Sequence, residues 1–304
     1  MHGEPLGRAM FRYCPEDFSV DEIIDFQPSN EGEHLLLHIQ KRDQNTQWVA
    51  GLLAELAGIE RRAVGFCGLK DRFAVTTQWF SLHLPGREIT QQQLQHEDFQ
   101  ILSSHRHHQK LRRGMHAGNR FNIVLRDFNV DTRVLYERLE RIRCCGVPNY
   151  FAEQRFGRQG NNLNRAAELI AEGRLKGNKY GTGMYLSAAR SWLFNLLLDS
   201  YLGLGSARFG ETGALWGRGR SASTAELGKM ETEVLANWEK WCDALEHAGL
   251  KQERRLFLLQ PENFTYQCID KNTFELSFDL LAGCYATAVL REIAKLFRPD
   301  ITAL

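Results

Sequence analysis

Long hydrophobic runs are missing from this sequence. No apolar stretch approaches the ~20 residues that a membrane span needs, and the opening "MHGEPLGRAMFRYCPEDF" has no apolar core like that of a signal peptide. Paired cysteine spacing is also missing. The seven cysteines, at 14, 67, 144, 145, 242, 268 and 284, form no CxxC. That suggests neither a zinc site nor a disulfide framework, and sets the expectation of a reduced, cytoplasmic location. Excess charge is absent: the formal net charge is +1, which excludes a protein that coats nucleic acid indiscriminately. Among the 26 glycines there is no G-x-x-x-x-G-K-[ST] and no strand-linked G-x-G-x-x-G. Gly217-Arg218-Gly219 falls in a polar stretch, so a phosphate-handling enzyme is set aside.

What is present is ordinary globular composition, with 43% hydrophobic and 25% charged residues over 304 positions. That length suits one large domain or two of common size. In "HLLLHIQ" (34–40), Leu35, Leu37 and Ile39 share one face, the period of a half-buried strand. "NTQWVAGLLAELAGI" (45–59) shifts to helical spacing, with Trp48, Val49, Leu52, Leu53 and Leu56 as one stripe and Asn45 as N-cap. Further strands are expected at 63–67, 74–84, 121–128, 149–156 and 273–280, and helices at 132–146 and 284–297. Strands and helices interleaved in this way suggest an α+β sheet covered by helices.

The middle of the chain differs. After a Gly/Asn-rich start, helical patterns occupy 157–183, 186–202 and 231–249, and strands are scarce until about 255. The expected organisation is one α+β domain, 1–156 with 256–304, carrying a mostly helical inserted domain at 157–255. "HRHHQKLRRGMHAGNRF" (105–121) adds a local basic patch, with Arg106, Lys110, Arg112, Arg113 and Arg120 and no acid. As a charge run it reads as a solvated loop between strands, and as a basic, Gly-containing segment it suits phosphate contact. Its four histidines match no common metal-ligand spacing, so no metal is expected there.

In "GLKDRFAVTTQ" (68–78), Asp71 sits between Lys70 and Arg72 just before a strand pattern. One reading is a turn-forming aspartate. The other is a carboxylate on a loop between two strands, kept ionised by its neighbours for use as a nucleophile. The residues alone leave both readings open.

The same stretch resembles the G-x-K-D-x-x-A-x-T-x-Q motif of the TruD-type tRNA pseudouridine synthases. Five further blocks resemble that family in the same order: "PEDFSVDEI" (15–23), "GNRFNIVLR" (118–126), "GVPNYFAEQRFG" (146–157), "LSAARSWLFN" (186–195) and "LAGCYATAVLRE" (281–292). The resemblance implies a mixed, largely antiparallel sheet flanked by helices, with the inserted helical domain forming an RNA-binding cleft. It implies an isomerase that turns a uridine of tRNA, at position 13 of certain tRNAs, into pseudouridine. It implies Asp71 as the nucleophile, adding to C1′ of the ribose or helping to expel uracil through a glycal, and no cofactor or metal.

A stacked uridine must be flipped out of its helix, at a cost of ~a few kcal/mol, and aromatic stacking worth ~1–3 kcal/mol per base can offset that. Phe18, Phe121 and Tyr285 match the family's aromatic positions, although ordinary core is the alternative for each. Asn119 can give a donor and an acceptor to a base edge, or serve as a turn residue. Arg12 matches a position that is usually lysine in the family, where a cation pairs with Asp71 or a phosphate. The chain is shorter than is usual for the family, with the loss after residue 205. A monomer that binds tRNA without a membrane is expected. The other reading, from a different class, is an RNA-binding or RNA-folding protein that shares the aromatics and cations but needs no Asp71.

Overall fold

The apolar alternation seen in 34–40 becomes the inner face of a large sheet. A computed structural model of the chain describes residues 1–175, 181–205, 207–219 and 222–299. Strands β1 (Arg8–Phe11), β2 (Phe18–Ile23) and β3 (His34–Arg42) precede helix α1 (Thr46–Ala57). Then come β4 (Val64–Phe66), β5 (Val75–His83), β6 (Phe99–His107), β7 (Gly118–Arg126), α2 (Thr132–Cys145) and β8 (Val147–Pro148). The middle holds α3 (Asn161–Ala171), α4 (Gly183–Gly203), β9 (Thr212–Leu215), α5 (Ala225–Leu235), α6 (Glu239–His247), β10 (Glu253–Leu256) and β11 (Leu258–Leu259). The chain closes with β12 (Glu262–Asp270), β13 (Thr273–Leu281), α7 (Ala286–Arg291) and β14 (Lys295–Phe297).

Two compact units result. One comprises 4–143, 261–286 and 293–304, and the other 1–3, 144–260 and 287–292. In the first, the sheet runs β12-β13-β7-β2-β5-β3-β6, with β1 joining β7 and β14, and β4 joining β5. Only β2–β5 and β1–β14 are parallel among these pairs. On its inner face Leu35, Leu37 and Ile39 of β3 and Phe80 and Leu82 of β5 pack against Val49, Leu53 and Ala57 of α1, all buried. Helix α1 starts where Asn45 accepts the Trp48 N–H at 2.7 Å and stops at Gly58, whose φ of 59° suits a residue without Cβ. Trp48, by contrast, lies 51% exposed and Leu56 36%, so the stripe is narrower than the spacing suggested.

The second unit is mostly helical. Leu193, Phe194, Leu197 and Tyr201 of α4 form its centre, with Phe257 stacked 4.3 Å from Tyr201. An ion pair from the half-buried Arg254 to the buried Glu231, at 2.6 Å, ties β10 to α5. The mixed, largely antiparallel sheet flanked by helices is as the resemblance implied.

Several local expectations fail for identifiable reasons. Residues 149–156 are not a strand: Asn149 donates from its backbone to Phe257 O and from its side chain to Leu256 O, and the Asn195 amide bonds both the N–H and the C=O of Phe151. Side-chain amides there take the place of a ladder. The helix expected over 284–297 ends at Arg291, because Ile293 O and Lys295 N–H bond to Leu6 and Gly7 and draw the chain into β14 beside β1. The segment 105–121 begins inside β6, not in a loop. The helix 231–249 breaks into α5 and α6 across a 3-10 turn at Ala236–Trp238. Residues 176–180, within the expected helical stretch 157–183, and Ser206, where the shortening is expected to begin, lie outside the described residues.

Candidate active site

The loop between β4 and β5 carries Asp71, and side chains hold three of its backbone groups, at Gly68, Lys70 and Asp71. Gln78 Nε2 donates to Gly68 O at 3.3 Å, and Thr46 Oγ1 donates to Gln78 Oε1 at 2.8 Å while accepting the Lys70 N–H at 3.0 Å. Lys41 Nζ donates to Gln44 O at 2.5 Å and to Asp71 O at 3.3 Å. Lys41, Thr46 and Gln78 are all buried to 1% exposure or less. Buried polar groups of this kind are costly unless paired, so these three fit the fold only with the loop in this shape. Burial lowers the Lys41 ammonium to about 8, aided by Lys70 and opposed by the Asp71 carboxylate.

The Asp71 carboxylate accepts from Arg12 Nη2 at 2.8 Å, its side chain 54% exposed and that of Arg12 only 9%. Arg12 reaches it from a left-handed backbone, φ 61°, unusual for a residue with Cβ. Its guanidinium lies 3.9 Å over the Phe18 ring and 5.0 Å over Phe11. Burial lowers the Arg12 pKa, and Asp71 opposes that. The cations next to Asp71 in sequence turn elsewhere. Lys70 Nζ lies 2.9 Å from Glu22 Oε1 and donates to Asn119 Oδ1 at 2.5 Å, and Arg72 faces Asp43 at 3.6 Å. The cation that meets the carboxylate is therefore Arg12, not the two flanking residues.

Asn119 follows Gly118 at the start of β7. A Cβ at Gly118 would stand 2.4 Å from Leu280 O, so only glycine lets β13 approach there. Phe121 pairs with Val20, and Asn119 with Glu22, which puts Phe18, Glu22, Asn119 and Phe121 on one face of the sheet. The Phe18 and Phe121 rings lie 6.0 Å apart, in a row that continues to Phe278 and Phe264. Both are buried, at 3% and 6%. Tyr285 is 39% exposed and stands just before α7, four residues past Leu281, which pairs with Gly118. Cys67, one residue before the motif, is no rival nucleophile: burial pushes its thiol up to about 12.

The family model described as tRNA pseudouridine synthase D (TruD) matches residues 4–180 and 203–293. The chain belongs to the TruD family. It is 44% identical over 308 residues to the tRNA pseudouridine synthase D of Cellvibrio japonicus, covering 97% of this chain and 92% of that one. It is 40% identical over 335 residues to the protein of the same name in Aeromonas salmonicida, covering 99% and 94%. The crystal structure of a TruD-type protein from Methanosarcina mazei shares the fold, with a TM-score of 0.70 at 21% identity over 97% of this chain and 95% of that one.

Around the TruD motif, sequence reasoning overlooked Lys41, Thr46, Glu22 and the loop-holding role of Gln78. A signal existed for two of them. Lys41 continues the inward alternation Leu35, Leu37, Ile39, and Glu22 that of Phe18 and Val20, so each is a charge in phase with an apolar face. Of the basic segment, Arg106 pairs with Glu88 and Arg120 with Asp279, each at 2.8 Å, while Arg112 and Arg113 are exposed. Among the described residues no helix is long and apolar enough to cross a membrane.

Proposed function

We propose that Asp71 is the nucleophile with which this TruD-family enzyme converts a uridine of tRNA, at position 13, into pseudouridine. As a TruD-family member the chain is an isomerase, a pseudouridine synthase that acts on tRNA. The observation that carries the Asp71 reading is a carboxylate more than half exposed, on a loop bonded at Gly68, Lys70 and Asp71 by buried side chains, and paired with a buried arginine. A turn-forming aspartate needs none of that apparatus.

Two routes use the carboxylate. It adds to C1′ as the bond from C1′ to N1 breaks, or it assists departure of uracil through a glycal. In either, the detached uracil rotates and C5 bonds to C1′, as the bond from C1′ to Asp71 breaks in the first route or as C2′ regains its proton in the second; the C5 hydrogen then leaves as a proton and N1 takes one up. Nothing is oxidised or reduced, so the proposed reaction needs no redox cofactor, and the family resemblance carries the proposal that it takes no other cofactor and no metal. Arg12 aims the carboxylate through a charge-assisted bond. Phe18, Phe121 and Tyr285 support the flipped base by stacking, and Asn119 bonds its edge. The catalytic portion is 1–156 with 256–304 and the inserted portion 157–255, in a monomer working in the cytoplasm. The reaction is tested by release of tritium from tRNA labelled at C5 of uridine, an obligatory consequence of rejoining through C5. Binding of tRNA with no release would favour the RNA-binding reading instead.

A further inference from the structure

We infer that Lys70 and Glu22 are positioning residues that turn the Asn119 amide so that only its NH2 group faces the nucleotide, which makes Asn119 a hydrogen-bond donor to a carbonyl oxygen of the base. The inference rests on the reading of Asn119 as a substrate-binding residue.

The orientation follows from what each group can do. An asparagine amide has two ends that look alike in shape, and the neighbours decide which is which. Lys70 Nζ, 2.5 Å from the Asn119 side chain, has three donors and no acceptor, so the atom it meets must be Oδ1. The lysine cannot turn away cheaply, because it also lies 2.9 Å from Glu22 Oε1 with side-chain exposures of 5% and 0%. Glu22 is anchored in turn, its Oε2 accepting the Trp79 N–H at 3.0 Å. The chain from the Trp79 backbone through Glu22 and Lys70 therefore ends on one side of the amide. On the other side, Asn119 Nδ2 has no partner among the described residues, yet it is not among the buried unpaired atoms, so it keeps contact with solvent. Asn119 itself is 8% exposed. With its oxygen engaged by the buried Lys70 and its NH2 group open, the amide presents a hydrogen-bond donor to the nucleotide. Its complement on uracil is O2 or O4, not the N3–H.

The test pairs variants with altered substrate. Asn119→Asp keeps an acceptor for Lys70 and removes the donor, so its turnover is expected to fall as far as that of Asn119→Ala, about 10–100-fold, with tRNA still bound. Turnover near wild type in Asn119→Asp would overturn the inference. Charge is separated from donation by replacing O2 or O4 of the target uridine with sulfur, a weaker acceptor. One of the two replacements is expected to slow wild type about tenfold and to cost Asn119→Ala nothing more. The double variant Lys70→Met with Glu22→Gln removes both charges together, frees the amide to rotate, and is expected to shrink that sulfur penalty. If both replacements cost wild type and Asn119→Ala equally, Asn119 is not the donor and the inference falls alone. If wild type releases no C5 tritium from unmodified tRNA, the enzymatic reading itself falls and takes the inference with it.

Discussion

Arg12 and Asp71, 59 residues apart in the chain, meet at 2.8 Å, the arginine buried and the carboxylate open to solvent. A charge-assisted bond of this type contributes roughly 1.5–3 kcal/mol, and a tenfold change in rate is about 1.4 kcal/mol. Arg12→Met is therefore expected to lower single-turnover rates about 10–150-fold. Arg12→Lys keeps the charge but loses the planar fork, and is expected to stay within about tenfold of wild type. Equal rates for wild type and Arg12→Met would remove the pair from catalysis.

Phe121 serves packing and, in this account, stacking, so the two must be separated. Phe121→Ala is expected to cost about 3–5 kcal/mol of stability, as large-to-small changes at buried aromatic positions do. Phe121→Leu keeps most of the volume without the aromatic face. It is expected to lower turnover several-fold at nearly unchanged melting temperature. Trp216→Phe, whose indole N–H bonds Glu246 at 2.9 Å, is expected to leave turnover alone. Equal effects of the two conservative changes on turnover would contradict the stacking role.

Lys41 gives a pH dependence with a definite sign. Its folded pKa is about 8 against an ordinary 10.5. Between those values the unfolded chain holds a proton that the fold has released, so this group makes stability rise with pH across the window. Cys67 acts oppositely: its thiol ionises near 9 when unfolded but is held up to about 12 by burial, so its contribution falls as pH rises. The comparison of wild type with Lys41→Met cancels such other groups. The wild type is expected to gain on the variant from pH 8 upward, by roughly 3 kcal/mol at most, measured by denaturant unfolding. A constant difference across that range would mean that Lys41 is not perturbed.

RNA affinity is expected to fall steeply with salt. If Arg112 and Arg113 touch phosphates, changing both to serine lowers the slope of log K against log salt by about 1–2. Arg106 and Arg120 are ion-paired already, and Arg106→Gln is expected to change the slope less. An unchanged slope in the double variant would remove the loop from the RNA contacts.

Much of the sheet could be read from alternation: β3, β5, β7 and β13 each carry an apolar face at period two, and α1 its cap and its glycine stop. What escaped reading was decided by partners distant in sequence. The 284–297 pattern is apolar enough for a longer helix, yet β1 recruits its last three strand residues. The 149–156 pattern looks extended, yet Asn195 and the carbonyls near 257 take up its backbone groups. At the site, the resemblance pointed to Arg12, Phe18, Asp71, Asn119, Phe121 and Tyr285. That Lys70 faces Glu22 and Asn119 rather than Asp71 depends on the register of β2 against β7, which no local pattern encodes.

The most direct test of the central claim compares tritium release from C5-labelled tRNA by wild type and by Asp71→Asn, with tRNA binding and folding measured beside it. Asparagine keeps the shape of the side chain and an acceptor for Arg12 but is no nucleophile. Release by the wild type alone, with both proteins folded and binding tRNA, is the predicted result. Release by both would put the nucleophile elsewhere and contradict the account of Asp71.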